Sequence, residues 1–156
     1  MTDKDLADRV ERFIQTLNQA RELGLTVVHA APGQLTLSLP YSERIIGNPE
    51  TGVIHGGAIT TLMDTASGSV MVCGLDEFEL CPTLDLRVDY MRPADPGQAV
   101  HARAEIRKMT RNIAFTRCEA FQEDGEVVAT CVGTFMRIGK DATPKAYRDM
   151  IAGGQS

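Results

Sequence analysis

NPETGVIHGGAITTLMDTASGSVMVC, residues 48–73, is the stretch that decides the fold. From Gly56 to about Cys73, the residues Ala58, Leu62, Ala66 and Val70 recur at every fourth position, and nearly all positions between them are small or apolar. Residues four apart share one face of a helix, and a helix apolar almost all round is surrounded by protein. The spacing predicts a long buried helix. Before it, residues 40–52 carry the turn-forming Pro49 and Gly52 and no apolar period, which predicts a loop.

On the amino-terminal side, Leu25 to Ala31 and Gln34 to Leu39 are apolar and β-branched and flank Pro32 and Gly33, the pattern of a strand hairpin. Further back, Leu6, Val10, Phe13, Ile14 and Leu17 recur at helical spacing behind Thr2 and Asp5 as cap residues and stop before Gly24. They predict one amphipathic helix laid on the core. After the buried helix, Leu84, Leu86, Val88 and Tyr90 alternate with Thr83, Asp85, Arg87 and Asp89, the period of a strand with one wet face. Runs at 99–109, 113–121 and 127–138 follow, separated by short turns, and predict a meander of antiparallel neighbours.

The order is helix, strand pair, buried helix, then four strands. An antiparallel sheet of five or six strands has one face to cover, and a single long apolar helix covers it. The expected class is α+β, a sheet wrapped around a central helix. The domain reading is an amino-terminal helix over 1–22, the sheet-and-helix domain over 23–139 and a polar, weakly ordered tail over 140–156.

At 156 residues the chain is one ordinary domain, and 43% hydrophobic with 24% charged residues is a globular composition. The net charge of −5 excludes nucleic acid as the main partner, since phosphate neutralisation needs a dominant basic face. The polar amino terminus lacks a signal-peptide pattern and no apolar run is long enough to span a bilayer, so no membrane association and a cytoplasmic location are expected. Cys73, Cys81, Cys118 and Cys131 lack zinc or redox spacing and read as free thiols in a reducing compartment. His29, His55 and His101 are scattered, and neither a metal nor a cofactor is expected.

Two features carry chemistry. Gly56 and Gly57 at a helix start leave backbone N–H groups unpaired at the positive end of the dipole, an oxyanion hole in prospect, although two glycines also make a tight turn. Asp64 stands mid-helix among apolar residues, where a carboxylate costs stability unless it is partnered or used. Its structural alternative is an aspartate bonded to Thr60, Thr61 or Ser67, or turned to solvent.

Asn48, the His55-Gly56-Gly57 run and Asp64 together resemble the signature of hotdog-fold acyl-CoA thioesterases of the phenylacetate-pathway (PaaI-like) group. The run Thr83 to Ala94 resembles the strand that follows the central helix there. The resemblance spans roughly residues 24–138 and implies the hotdog fold and hydrolysis of an aryl or medium-chain acyl-CoA. It implies Asp64 as nucleophile or general base and Thr83 as the hydroxyl that helps hold the attacking water. His55 would orient the thioester carbonyl or cap the helix, and Asn48 would bond the carbonyl region or only its own loop. The alternatives are a hotdog enoyl-CoA hydratase or dehydratase and a non-catalytic acyl-CoA-binding protein.

Gly57 and Asp64 are seven residues apart, about 10 Å along a helix axis at ~1.5 Å per residue. One carbonyl cannot sit beside both, so a site using both takes them from two chains about a two-fold axis. The resemblance implies the same: Asn48, His55 and Gly57 of one chain facing Asp64 and Thr83 of another, a homodimer as the minimum active unit and a homotetramer as the expected assembly. For coenzyme A phosphates the sequence offers only Arg107, Lys108 and Arg111, with Arg92 apart at a strand end, and a solvated hairpin tip is the favoured reading of that cluster, so none is counted among the site residues.

Overall fold

Thr2 and Asp5 exchange hydrogen bonds at the start of the first helix: the Asp5 N–H donates to Thr2 Oγ1 at 3.2 Å and the Thr2 N–H donates to Asp5 Oδ2 at 2.9 Å. This reciprocal cap opens α1 (Asp3–Ile14) in a computed structural model that describes residues 2–153. Leu6, Val10 and Ile14 bury its apolar stripe. The single helix expected over 1–22 is two. Beyond Ile14 the Thr16 hydroxyl turns back onto the Phe13 carbonyl at 2.7 Å, and α2 (Asn18–Leu23) starts afresh and stops at Gly24, whose φ of 69° is left-handed.

The hairpin forms as expected, β1 (Thr26–Ala31) and β2 (Gln34–Leu39) turning at Gly33, φ +71°. The segment expected as plain loop contains a 3-10 turn (Glu43–Ile45) and a two-stranded hairpin, β3 (Ile46–Asn48) with β4 (Val53–Ile54). Then come α3 (Gly56–Ser69) and the short α4 (Met71–Gly74). Ile59, Leu62, Met63, Ala66 and Val70 are buried against the sheet. The helix is not enclosed all round: Gly57 is exposed, and Thr60, Thr61, Asp64, Thr65 and Gly68 are half-buried on its other side.

Four long strands follow: β5 (Thr83–Tyr90), β6 (Val100–Met109), β7 (Ile113–Phe121) and β8 (Val127–Met136). The sheet order is β1-β2-β6-β7-β8-β5, antiparallel throughout. Only β6, β7 and β8 form the expected meander, because β5 pairs with β8 at the far edge. The connection across the end of the sheet is pinned there. Arg92 meets Asp95 at 3.4 Å, Asp124 at 3.2 Å and Glu126 at 3.7 Å, while the Gln122 side chain bonds both the N–H and the C=O of Asp95. Arg92 is therefore committed to the β7–β8 turn.

The carboxy-terminal segment departs from the weakly ordered tail expected over 140–156. The buried Glu79 carboxylate accepts from Arg137 Nε at 2.7 Å and from the Gly139 N–H at 2.6 Å, and Thr143 Oγ1 accepts from the Leu80 N–H at 3.0 Å. Chain so anchored returns as α5 (Lys145–Ala152), whose Ile151 is fully buried and whose Ile151 carbonyl accepts from Arg12 Nη2 of α1 at 2.9 Å. Met1 and residues 154–156 lie outside the described residues.

Candidate active site

Thr83 was expected on the wet face of its strand with Asp85 and Arg87. A β-bulge at Leu84 overturns that: Thr83 pairs with Phe135 and Asp85 with Thr134, so the extra residue shifts the alternation by one. Thr83 now faces the same side as Leu86 and the buried Phe135, toward α3. Its hydroxyl donates to Asp64 Oδ1 at 2.9 Å.

The three side chains offered as structural partners for Asp64 bond elsewhere. Thr61 Oγ1 donates to the Gly57 carbonyl at 2.9 Å, Thr60 bonds the Tyr90 hydroxyl, and Ser67 lies 3.7 Å from Cys131 Sγ. Among the described residues Thr83 is the one hydrogen-bond partner of the carboxylate, which leaves Oδ2 open. Asp64 and Thr83 stand at a junction. On one side is an open groove of about 550 Å³ between α2 and α3, bordered by Gln19, Thr60 and Thr61. On the other is an apolar chamber of about 270 Å³, walled by Leu17, Met71, Phe78 and Phe135.

The second cluster lies at the start of α3. His55 is its N-cap residue, and His55 Nδ1 accepts the Gly57 N–H at 2.8 Å. An accepting Nδ1 carries no proton, so the neutral ring holds its hydrogen on Nε2. The helix-start N–H expected to be unpaired is therefore occupied. Asn48 is exposed on β3; its Oδ1 accepts the Glu50 N–H at 3.0 Å and its backbone carbonyl accepts the Gly52 N–H at 2.8 Å. That is the loop-bonding alternative for Asn48, with the amide NH2 left over.

Tyr90 is the residue that sequence reasoning missed here. Its hydroxyl donates to the Gly56 carbonyl at 2.7 Å, and a β-carbon at Gly56 would stand 3.1 Å from the Tyr90 ring. Close approach of β5 thus explains the first glycine. At Gly57 a β-carbon would fall 2.8 Å from His55 Nδ1. Its place in the strand alternation, on the Leu86 side, was the available signal.

Within one chain the two clusters stay apart, Thr83 and Asp64 two turns along α3 from His55 and Gly57, all beside the same open face. Among the described residues no group of three or more His, Cys, Asp or Glu side chains is placed to hold a metal ion, and no helix is long and apolar enough to cross a membrane. In the basic cluster at the β6–β7 hairpin, Arg107 is turned to Glu105 at 2.9 Å.

Comparison with known proteins fits this geometry. The Thioesterase superfamily profile matches residues 51–129, about half of the chain. A medium/long-chain acyl-CoA thioesterase, YigI of Salmonella typhimurium, is 29% identical over 139 residues, 81% of this chain and 89% of its own length. Among solved structures, a Pseudomonas aeruginosa protein is 55% identical with a TM-score of 0.79, covering 85% of this chain and 99% of its own. The phenylacetic acid degradation protein PaaI of Thermus thermophilus is 32% identical with a TM-score of 0.66, covering 76% of this chain and 97% of its own. A six-stranded antiparallel sheet wrapped on a central helix, matched in sequence across that helix and the strands after it, makes this chain a hotdog-fold thioester hydrolase of the thioesterase superfamily.

Proposed function

We propose that the protein hydrolyses an acyl-coenzyme A to the free acid and coenzyme A, with Asp64 as its catalytic carboxylate. The observation that carries the reading is the Thr83–Asp64 pair: the one charged side chain of α3, fixed through one oxygen at 2.9 Å and open at the other, at the meeting of a groove and an apolar chamber. Asp64 takes the proton of a water that adds to the thioester carbon, or adds to that carbon itself and is released by water. Either way the C–S bond breaks and the thiol departs with a pKa of about 8.5, which asks little of an acid.

The carbonyl oxygen gathers negative charge in that step and needs donors. The His55 Nε2–H, the Asn48 NH2 and, once His55 Nδ1 gives it up, the Gly57 N–H supply them from the partner of a homodimer. Support for the dimer comes from the open face shared by Gly57, Thr60, Thr61 and Asp64, and from β5, a sheet edge on which Leu84 and Tyr90 are 55% and 52% exposed. Two α3 helices antiparallel about a two-fold axis bring each Asp64 to the other chain's Gly57; a tetramer doubles this unit. No nucleic acid, membrane, metal or cofactor is required, and a cytoplasmic enzyme fits the reading.

Thiol release from a panel of acyl-CoAs tests it, with Asp64→Asn as the control. Turnover by the wild type that is lost in the variant supports the proposal. No release from any acyl-CoA, or equal release by both proteins, rejects it. A hotdog hydratase or a non-catalytic binder frees no thiol.

A further inference from the structure

We infer that the apolar chamber beside Asp64 is a length gauge for a linear acyl chain of about eight to ten carbons, bounded away from the carboxylate by the Phe13 and Phe78 rings. The inference rests on the thioesterase reading and adds the substrate class. On the helix side the wall is Asp64, Gly68 and Val72, successive turns of α3 and α4 on one face. Opposite runs the segment from Phe78 to Thr83, with Thr83 at Asp64 and Phe78 at the other end. Leu17 borders both groove and chamber, while Phe13 borders the chamber alone and meets Phe78 with ring centroids 5.3 Å apart at 57°. The chamber is thus a slot with a mouth at the carboxylate and an aromatic end.

Two independent measures give its capacity. Val72 lies eight residues beyond Asp64, past the turn at Val70 where α3 gives way to α4, and Val70 keeps right-handed helical dihedrals, so at ~1.5 Å per residue the distance is about 12 Å. Extended chain advances about 3.6 Å in three bonds, so 12 Å takes roughly ten bonds. By volume, a dry cavity of about 150 Å³ holds benzene, six heavy atoms, so the 270 Å³ here holds roughly eleven. Length and volume agree only for a slot one chain wide, which favours a straight chain over a ring. Gly68 keeps it open, since a larger side chain would project from the middle of its wall toward Phe135, whose ring a β-carbon would already meet at 3.4 Å.

The experiment is kcat/KM for saturated acyl-CoAs from acetyl to hexadecanoyl and for phenylacetyl-CoA, with the wild type, Phe13→Ala and Gly68→Leu, each checked for folding by circular dichroism. In the wild type each methylene should raise kcat/KM about fourfold, the equivalent of about 0.8 kcal/mol, until a break at octanoyl to decanoyl. Phe13→Ala removes a benzene-sized ring and should move the break up, by at most about six carbons. Gly68→Leu should move it down, and so keeps the gauge testable should the other variant not fold. Release that ignores chain length, a break unmoved in both variants, or phenylacetyl-CoA turned over faster than octanoyl-CoA overturns the gauge and leaves the thioesterase reading standing. No release from any acyl-CoA sinks both.

Discussion

Thr83 reaches Asp64 only because Leu84 is a bulge: without the extra residue the Thr83 hydroxyl would point away from α3, and the 2.9 Å bond to Asp64 Oδ1 could not form. The bond fixes one carboxylate oxygen and aims the other into the site. We predict that Thr83→Val lowers kcat about tenfold or more, in line with the ~1.5–3 kcal/mol of a hydrogen bond to a charged group, and leaves KM within a few-fold. Thr83→Ser should recover most of it. Equal kcat in the Val and Ser variants would remove Thr83 from the site.

Asp64 should show the opposite signs for activity and stability. Asp64→Ala removes a carboxylate from a helix interior where Ala is favoured by roughly 0.5 kcal/mol, and it leaves behind only a threonine hydroxyl that water can satisfy. The midpoint of urea unfolding is expected to hold or rise, while kcat falls by about two to four orders of magnitude. A structural aspartate would give the reverse, a lowered midpoint with turnover intact.

These two residues mark what the sequence can carry. Asp64 stood out because a carboxylate among Ala, Leu and Met breaks the local pattern, and local pattern is what a sequence displays. The facing of Thr83 was hidden, since a bulge is a matter of register between β5 and β8 and leaves no trace in the alternation of β5 alone. The placement of β5 beyond β8 was hidden likewise: it lies in pairings made across more than thirty residues, the β5–β8 ladder and the contacts of Arg92 with Asp124 and Glu126. In α5, Tyr147, Met150 and Ile151 do recur at helical spacing, but over two turns only and inside a polar tail, and Arg12 with the Glu79 anchor does the rest.

The buried Cys73 and half-buried Cys81 should make the fold sensitive to alkali. Burial pushes Cys73 from its ordinary 9.0 up to about 11, and burial with the Glu79 carboxylate nearby pushes Cys81 up to about 12. Below pH 9 both folded and unfolded chains hold these protons and stability is unaffected. Between about 9 and 11 the unfolded chain releases protons that the folded chain keeps, so stability falls by up to ~1.4 kcal/mol per pH unit for the buried Cys73, and by less for Cys81, which solvent partly reaches. Urea midpoints from pH 8 to 10.5 should drop more steeply in the wild type than in Cys73→Ala. Parallel slopes would contradict the burial argument. The same burial should keep disulfide reagents from labelling the native protein quickly at pH 8, so released coenzyme A can be read over a low background.

Glu79 holds the end of the sheet to the carboxy-terminal segment. It is 5% exposed and is bonded to Arg137 and to the Gly139 N–H. Glu79→Leu leaves the guanidinium and the N–H without their acceptor, and should cost about 2–4 kcal/mol, below the full value for a wholly buried pair because Arg137 is partly solvated. Loss of protection from hydrogen exchange should extend through α5, which this anchor leads into. A loss confined to residues near position 79 would show that α5 docks independently through Ile151 and Arg12.

The shared site is tested by recombining broken chains. Mix Asp64→Ala protein with His55→Ala protein under conditions where subunits exchange, and confirm exchange by mass spectrometry of differently tagged chains. If each site takes Asp64 and Thr83 from one chain and Asn48, His55 and Gly57 from the other, a heterodimer contains one doubly damaged site and one intact site. Random pairing makes half of all dimers mixed, so activity should climb to about a quarter of the wild type, far above either parent. If each site were built from a single chain, every site in the mixture would keep its own lesion. Activity would then stay at the mean of the two parents however thoroughly the chains exchanged, and the roughly 10 Å between Gly57 and Asp64 would mean that they serve different groups of the substrate.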